Sequence, residues 1–542
     1  MPRIPELLSR AILLLVTLSA GDTRLAVAAD AEAATAPAKS TAAAEPPPFV
    51  NPRVIGVESS VVQVRSTVRL PDLGKPWAKQ AAKEISGSGV IIEGKRILTN
   101  AHVVLYAAEL QVQGHGSGNK VSARVEFLAP GIDLAVLRLE DDTFFEKRGP
   151  LPRAKTLPAV KDAVTVYGFP TGGTGLSITK GIVSRIDYTS YNYPVSGLRI
   201  QIDAAINAGN SGGPAVVGEA MIGLAYSRLG GAQNIGYIIP NEEIELFLHD
   251  VADGKYDGKP LLFDEYMKLE NATLRGFLKA HDRQEGVVVR ECDNPDPAYP
   301  LKKWDVITKI GDTAIDREGK VILRDQLRVA FSYLIQHKVR DGKVPLTVWR
   351  DGNELIMDVP TERTRPKLIP HLNGAYPDYF IFGTAVFSVA TEDYVSLLTS
   401  VSAAAASAQG VPQAGGVNVA NLLSAIGSPL MTRRSERATG EERELVLIPA
   451  PLFPHKLTKG YGNPSGRVVK SVNGKPIQSL RHLVETVRDA TGDVVIFELA
   501  GRGGETLVLP RKEMIAATDE ILAENGIRTQ GSPAMMKVWA AK

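Results

Sequence analysis

From Val54 to about Leu248 the chain offers only short apolar runs, each stopped by Gly or Pro: SSVVQVRSTV, GSGVIIEG, DLAVLRL, AVTVYGF and MIGLAY. Runs this short, bounded by turn residues, are β-strands. Roughly a dozen fit before Asp250, and that number at that spacing predicts a pair of small β-barrels. With 50 glycines and 35 prolines, the composition is that of a turn-rich, mainly β protein. At 542 residues the chain exceeds one ordinary core, so further domains must follow the barrels.

Two such units are legible. Over 258–360 the strands GVVVREC, VITKIGD and VPLTVWRDG enclose a stretch, Arg324 to Gln336, whose Leu327, Ala330, Phe331 and Leu334 fall at helical spacing. Over 365–511 the same order returns: GRVVKSVNGKPI, a helix from Leu480 to Ala490, then DVVIFEL. The two read as internal repeats of strand, helix and closing strand. Within the second, 403–437 is rich in Ala, Ser, Gly and Gln, then basic at Arg433 and Arg434, the composition of a mobile insertion. The segment 512–542 reads as a C-terminal helix and tail, with Met514, Ile515, Thr518, Ile521 and Leu522 on one side of the helix.

The first 28 residues carry Arg3 and Arg10, an apolar stretch from Ala11 to Leu18, and the small-residue site Ala26-Val27-Ala28. This is the pattern of a cleaved signal peptide over 1–28, which predicts a periplasmic or secreted protein. The apolar stretch is too short to cross a bilayer, so no stable membrane span is expected after cleavage. Residues 29–49, mostly Ala, Thr, Glu, Lys and Pro, read as a disordered tether ahead of a first domain over 50–250. Lys plus Arg number 62 against 60 for Asp plus Glu, a balance that gives no case for a nucleic-acid partner. The lone Cys292 excludes an intrachain disulfide and reads as a partly buried small residue.

Three strings in the first domain carry chemistry. His102 lies in LTNAHVV just beyond a strand, Asp133 opens a strand in GIDLAVLRL, and Ser211 sits in the glycine-rich INAGNSGGPAV. A serine hydroxyl needs a base in contact, and the base needs a third group to fix its tautomer. His102 and Asp133 fill those roles in the chain order His, Asp, Ser of the chymotrypsin type. The backbone N–H groups of Gly209 and Ser211 are the expected oxyanion hole, and Gly212 and Gly213 are expected to leave room for a substrate strand. In this reading the fold is mainly β, a trypsin-like double β-barrel.

From Gly87 to Leu248, the strings GSGVII, LTNAHVV, TKGIVS, GNSGGP and NIGYIIP resemble the Deg/HtrA serine proteases. The family's catalytic His, Asp and Ser fall on His102, Asp133 and Ser211. ENATLRGFLK, KKWDVITKIGD and AFSYLIQHK resemble the first PDZ domain of the long, plant-type Deg enzymes. YFIFGTAVF, SVNGKPIQSLRHLV and the final helix resemble their second, degenerate PDZ domain, so two PDZ-like α/β domains are expected after the protease. The resemblance implies ATP-independent cleavage of unfolded or damaged proteins and assembly into trimers or higher homo-oligomers. Two departures stand out. Ala208 replaces the usual Pro before GNSGGP, and the loop Leu261, Leu262, Phe263 and Asp264 puts an acid where PDZ domains bind a chain-end carboxylate.

Trypsin specificity needs an acid at the base of the pocket, and the position six before Ser211 is Ala205. With Gly223, Leu224 and Ala225 as the opposite wall, the expected preference is for cleavage after small apolar residues. Asp203 reads as a turn or hydrogen-bonding residue. No GxxxxGK[ST] or HExxH string occurs, so neither nucleotide, metal nor other cofactor is expected. The rival reading is a non-proteolytic chaperone or scaffold on the same fold.

Overall fold

The computed structural model describes residues 56–173, 175–191, 195–226, 235–280, 285–323, 327–408 and 419–541. The expected signal peptide and tether, 1–49, lie outside them, as does 409–418 of the expected insertion.

Strands β1 (Val61–Val68), β2 (Lys83–Ile92), β3 (Arg96–Thr99), β4 (Ala107–Gly114), β5 (Lys120–Ala129) and β6 (Leu134–Leu139) close into one antiparallel barrel in the order β1-β2-β3-β6-β5-β4. A second closed barrel, ordered β10-β11-β12-β9-β8-β7, is built from β7 (Ala163–Gly168), β8 (Ser177–Ser190), β9 (Ser196–Ile202), β10 (Pro214–Val217), β11 (Ala220–Tyr226) and β12 (Gly236–Pro240). The runs are continuously apolar because both faces of the strands are buried. Ile91, Ile97, Ala135 and Leu137 fill the first barrel. Their neighbours Val90, Ile92, Leu98, Leu134 and Val136 turn outward onto Met221, Leu224 and Ile239 of the second. Ile222, Ala225 and Ile238 fill the second barrel in turn. The middle apolar layer joins the two barrels, and the candidate functional residues sit along that seam.

The helix Asn241–Asp250 ends the double barrel. Its Glu243 is fully buried, accepts from the Leu198 N–H at 2.7 Å and pairs with Lys259, which also donates to the Ser196 carbonyl at 3.1 Å. This buried pair pins the start of the next unit to the second barrel.

That unit is an antiparallel sheet ordered β13-β14-β15-β19-β20: β13 (Glu265–Lys268), β14 (Val287–Glu291), β15 (Val306–Ile310), β19 (Lys343–Arg350) and β20 (Asn353–Pro360), with β16 (Thr313–Ala314) beside β15. Over its described residues, 327–336, the helix expected from Arg324 to Gln336 is not continuous. Instead β17 (Lys320–Ile322) pairs with β18 (Arg328–Ala330), a 3-10 turn spans Phe331–Leu334, and only Ile335–Lys338 is α-helical. The Val321–Val329 cross-strand pair buries both valines, which a helix through Val329 would forfeit. Cys292 is half-buried, its Sγ 3.4 Å from the Leu301 carbonyl, and burial pushes its thiol up to about 11, in keeping with a partly buried small residue.

The last unit is a sheet ordered β21-β22-β23-β24-β26-β27: β21 (Tyr379–Phe382), β22 (Ala385–Val389), β23 (Val446–Ile448), β24 (Arg467–Val472), β26 (Val494–Leu499) and β27 (Thr506–Pro510), with β25 (Lys475–Pro476) beside β24. Two expectations are corrected here. The helices Arg511–Glu524 and Pro533–Ala540 are not an appendage to this unit. Met514, Met535 and Val538 lie in the same core as Phe380, Phe382, Phe387 and Phe497, while Ile515 faces solvent. The aromatic run YFIFGTAVF is therefore covered by its own domain. Nor is the 403–437 segment a loose insertion where it is described. Helices Val419–Ala425 and Pro429–Thr432 bury Val419, Leu423 and Leu430 against Tyr394, Leu398 and Leu447. Its arginines are paired, Arg433 with Glu442 at 2.7 Å and Arg434 with Glu392 at 2.6 Å. The described part of the segment buries apolar side chains, so composition misled about order.

Candidate active site

β3 ends at Thr99 and the chain turns at Asn100 into a single helical turn, Ala101–Val104, which carries His102. Across the first barrel, the turn before β6 holds Asp133 at φ +60, a left-handed conformation uncommon for a residue with a side chain. Asp133 is buried, and its carboxylate faces the helical turn. Oδ1 accepts the His102 backbone N–H at 2.9 Å and Oδ2 lies 2.7 Å from His102 Nδ1. An ionised carboxylate only accepts, so Nδ1 carries the proton. In the neutral ring the lone pair is then on Nε2, the arrangement of a general base.

Ser211 comes from the second barrel. Its turn is closed by Asn210 N–H on the Asn207 carbonyl and Gly213 N–H on the Asn210 carbonyl, both 3.0 Å. The turn is then seated on the first barrel, where the Ser88 N–H donates to the Ser211 carbonyl at 2.8 Å. Gly87, one residue earlier in β2, joins the two halves: a Cβ there would stand 2.7 Å from Val103 Cγ2 and 3.2 Å from the Ser211 carbonyl oxygen. Thus β2 brings the nucleophile turn beside the helical turn of His102.

The glycines serve the protein's own backbone. Gly209 and Gly212 both adopt positive φ, +99 and +87. A side chain on Gly212 would strike the Ser88 carbonyl, and one on Gly213 the Tyr167 carbonyl. The expectation that Gly212 and Gly213 leave room for substrate is corrected: the space is filled by β2 and β7.

The expected pocket wall is also corrected. Leu224 is fully buried between the barrels, Ala225 lies inside the second barrel, and Gly223 is packed against Ile238 and Ile239. Among the described residues these three strand positions are buried against the barrel cores. Ala205 is exposed near the nucleophile turn. Asp203 accepts the Ile182 N–H at 2.6 Å, the hydrogen-bonding role expected of it. In the loop Leu261–Asp264, Leu261 exchanges backbone hydrogen bonds with Glu362 at 2.9 Å. Asp264 is buried, with its carboxylate accepting from Tyr299 Oη at 2.7 Å and the Asp293 N–H at 3.1 Å. Burial pushes its carboxyl above the ordinary range.

Two residues of the site carried no role in the sequence reading. Ser88, in GSGV, is fully buried; its Oγ donates to the Gly209 carbonyl and accepts from Phe169 N–H, each at 2.8 Å. Asn100, in LTNAHVV, donates from Nδ2 to the Asp133 carbonyl at 3.0 Å. A buried polar residue inside a motif was the available signal.

Residues 87–224 match the model of the trypsin-like peptidase domain, and 369–534 match the PDZ domain model. Among curated proteins, the chain is 39% identical over 340 residues to Protease Do-like 4, mitochondrial, of Arabidopsis thaliana, covering 62% of this chain and 65% of that one. It is 33% identical over 486 residues to Protease Do-like 2, chloroplastic, of the same plant, covering 88% of this chain and 76% of that one. Among solved structures, the HtrA-type protease AlgW with decapeptide aligns at 24% identity and TM-score 0.44, over 58% of this chain and 98% of that one. The likeness to the curated relatives runs past the barrels through most of the chain, and the chain belongs to the Deg/HtrA family of serine proteases.

Proposed function

We propose that this chain is an ATP-independent endopeptidase that cuts unfolded or damaged proteins, with Ser211 as nucleophile, His102 as base and Asp133 as the group that orients it. The observation that carries the reading is the 2.7 Å contact between His102 Nδ1 and Asp133 Oδ2, on a turn that β2 sets beside Ser211. His102 Nε2 takes the Ser211 hydroxyl proton as Oγ bonds to the substrate carbonyl carbon. The N–H groups of Gly209 and Ser211 hold the resulting oxyanion, and the protonated ring gives its proton to the leaving amine. Water then repeats the sequence on the acyl-enzyme.

Ala205, standing where a basic-residue pocket needs an acid, supports a preference for small apolar residues at the cut. The basic, apolar and small-residue pattern over 1–28 supports work outside the cytoplasm, which immunoblotting of cell fractions tests. Kinship with the family supports a homo-oligomer, and light-scattering mass of the purified chain tests that. The central test is Ser211→Ala, expected to abolish casein cleavage with an unchanged circular dichroism spectrum. Cleavage near the parent rate sinks the assignment, and the non-proteolytic scaffold then takes its place.

A further inference from the structure

We infer that Asn100 is a positioning residue that acts through Asp133, completing a two-way clamp between the turn that bears the base and the turn that orients it. Asn100 occupies the N-cap of the helical turn Ala101–Val104, where an Asn side chain ordinarily accepts one of the turn's own N–H groups. It makes no such bond. The acceptor is supplied from across the barrel, by Asp133 Oδ1 on the His102 N–H at 2.9 Å. Asn100 reaches the other way, its Nδ2 donating to the Asp133 carbonyl at 3.0 Å. Each turn thus offers a side chain to the other's backbone.

The geometry explains why the second bond matters. Asp133 sits at φ +60, a backbone state that persists in a residue with a side chain only where its surroundings enforce it. The Asp133 N–H is held by Pro130 at 3.3 Å. The carbonyl on its other side is held by Asn100, so the two bonds bracket the strained residue. The carboxylate then keeps one rotation, with Oδ1 on the backbone and Oδ2 on Nδ1. Without the Asn100 donor the carbonyl is free to swing, the backbone is free to leave the left-handed region, and Oδ2 moves off Nδ1. Asn100 is fully buried, and its Oδ1 has no hydrogen-bond partner among the described residues. The side chain is therefore retained for its donor.

The test is a double-mutant cycle on the full chain, using a peptide substrate, with Asn100→Leu, Asp133→Asn and the pair. Leu keeps the number and branching of heavy atoms without a donor, at the cost of bulkier methyls. Asn100→Leu is expected to lower kcat by about 10²-fold, the scale of a small misplacement, with KM within about twofold. It should also weaken the low-field proton resonance of the His102 Nδ1–H···Asp133 bond. Because Asn100 acts through Asp133, the pair should be no slower than Asp133→Asn alone. Effects that multiply in the pair, or a parent-like kcat in Asn100→Leu, overturn the inference. If Asn100→Leu does not fold, Asn100→Ala, which is smaller and lacks the donor at every pH, is measured instead. The same loss of kcat and of the resonance is expected there, and parent-like kinetics overturn the inference equally.

Discussion

The two barrels contribute to the site in different ways. The first holds both His102 and Asp133, and the bonds between them are internal to that barrel, from His102 N–H and Nδ1 to the one carboxylate. The second supplies Ser211, whose turn takes its position from the first barrel through Ser88. Orientation of the base is thus a property of one barrel's fold. Placement of the nucleophile is a property of the seam between two, and it depends on the apolar layer of Leu98, Leu134, Leu224 and Ile239 that keeps them in register. A change confined to the first barrel should alter the proton-transfer step, whereas one at the seam should alter alignment and stability together.

The largest effect expected of this division is on proton transfer. Asp133→Asn keeps the shape but favours the wrong tautomer of His102, and kcat should fall by about 10⁴-fold. Thermal stability and labelling of the folded fraction should be much less affected. A loss of activity explained wholly by unfolding would break the claim that the pair is a local device of the first barrel.

Next comes the seam. Ser88→Ala leaves the Gly209 carbonyl and the Phe169 N–H without their buried partner, at a cost of about 1–3 kcal/mol of stability. It also loosens the turn that places Gly209 and Ser211, so kcat should drop by about 10²-fold. Chemical denaturation and steady-state kinetics on the same sample read both. A stability loss with parent kinetics would mean that the Ser211 turn holds its shape without the first barrel.

The smallest effect concerns the back of the first barrel. Tyr106, just after the His102 turn, packs on Tyr376 of the last domain at 5.7 Å, and Tyr376 Oη donates to the Arg69 carbonyl at 2.8 Å. Tyr376→Ala should cost about 0.5–1.5 kcal/mol from the ring pair, seen as a lower melting temperature. Its effect on kcat should be slight. A large fall in kcat would show that the His102 turn leans on the last domain, and that the first barrel's half of the site is not self-contained.

How legible each part was follows from how local its cause is. The double barrel was readable because strand length, apolar runs and turn residues are local properties. His102, Asp133 and Ser211 were readable as motifs, since a reactive residue needs particular neighbours at fixed offsets. The Arg324–Gln336 helix was misread because apolar spacing suited a helix, while the partner that decided the matter, Val321, lay outside the window. The 403–437 segment was misread because Ala and Ser are as common in loose linkers as in closely packed helices. What covers Val419, Leu423 and Leu430 is the distant Tyr394, Leu398 and Leu447.

The pocket wall failed for a related reason. Nearness in sequence to Ser211 does not reveal which side of β11 faces a core, and Leu224 and Ala225 point into two different ones. By itself, then, the order of residues determined the strand content of the first domain, the candidate reacting side chains and kinship with a protease family. Tertiary structure alone decided which glycines make room for backbone, and that Ser88 and Asn100 brace the site. Those facts depend on segments far apart in the chain meeting at hydrogen-bond distance, and directional bonds of that kind leave no periodic trace in the sequence.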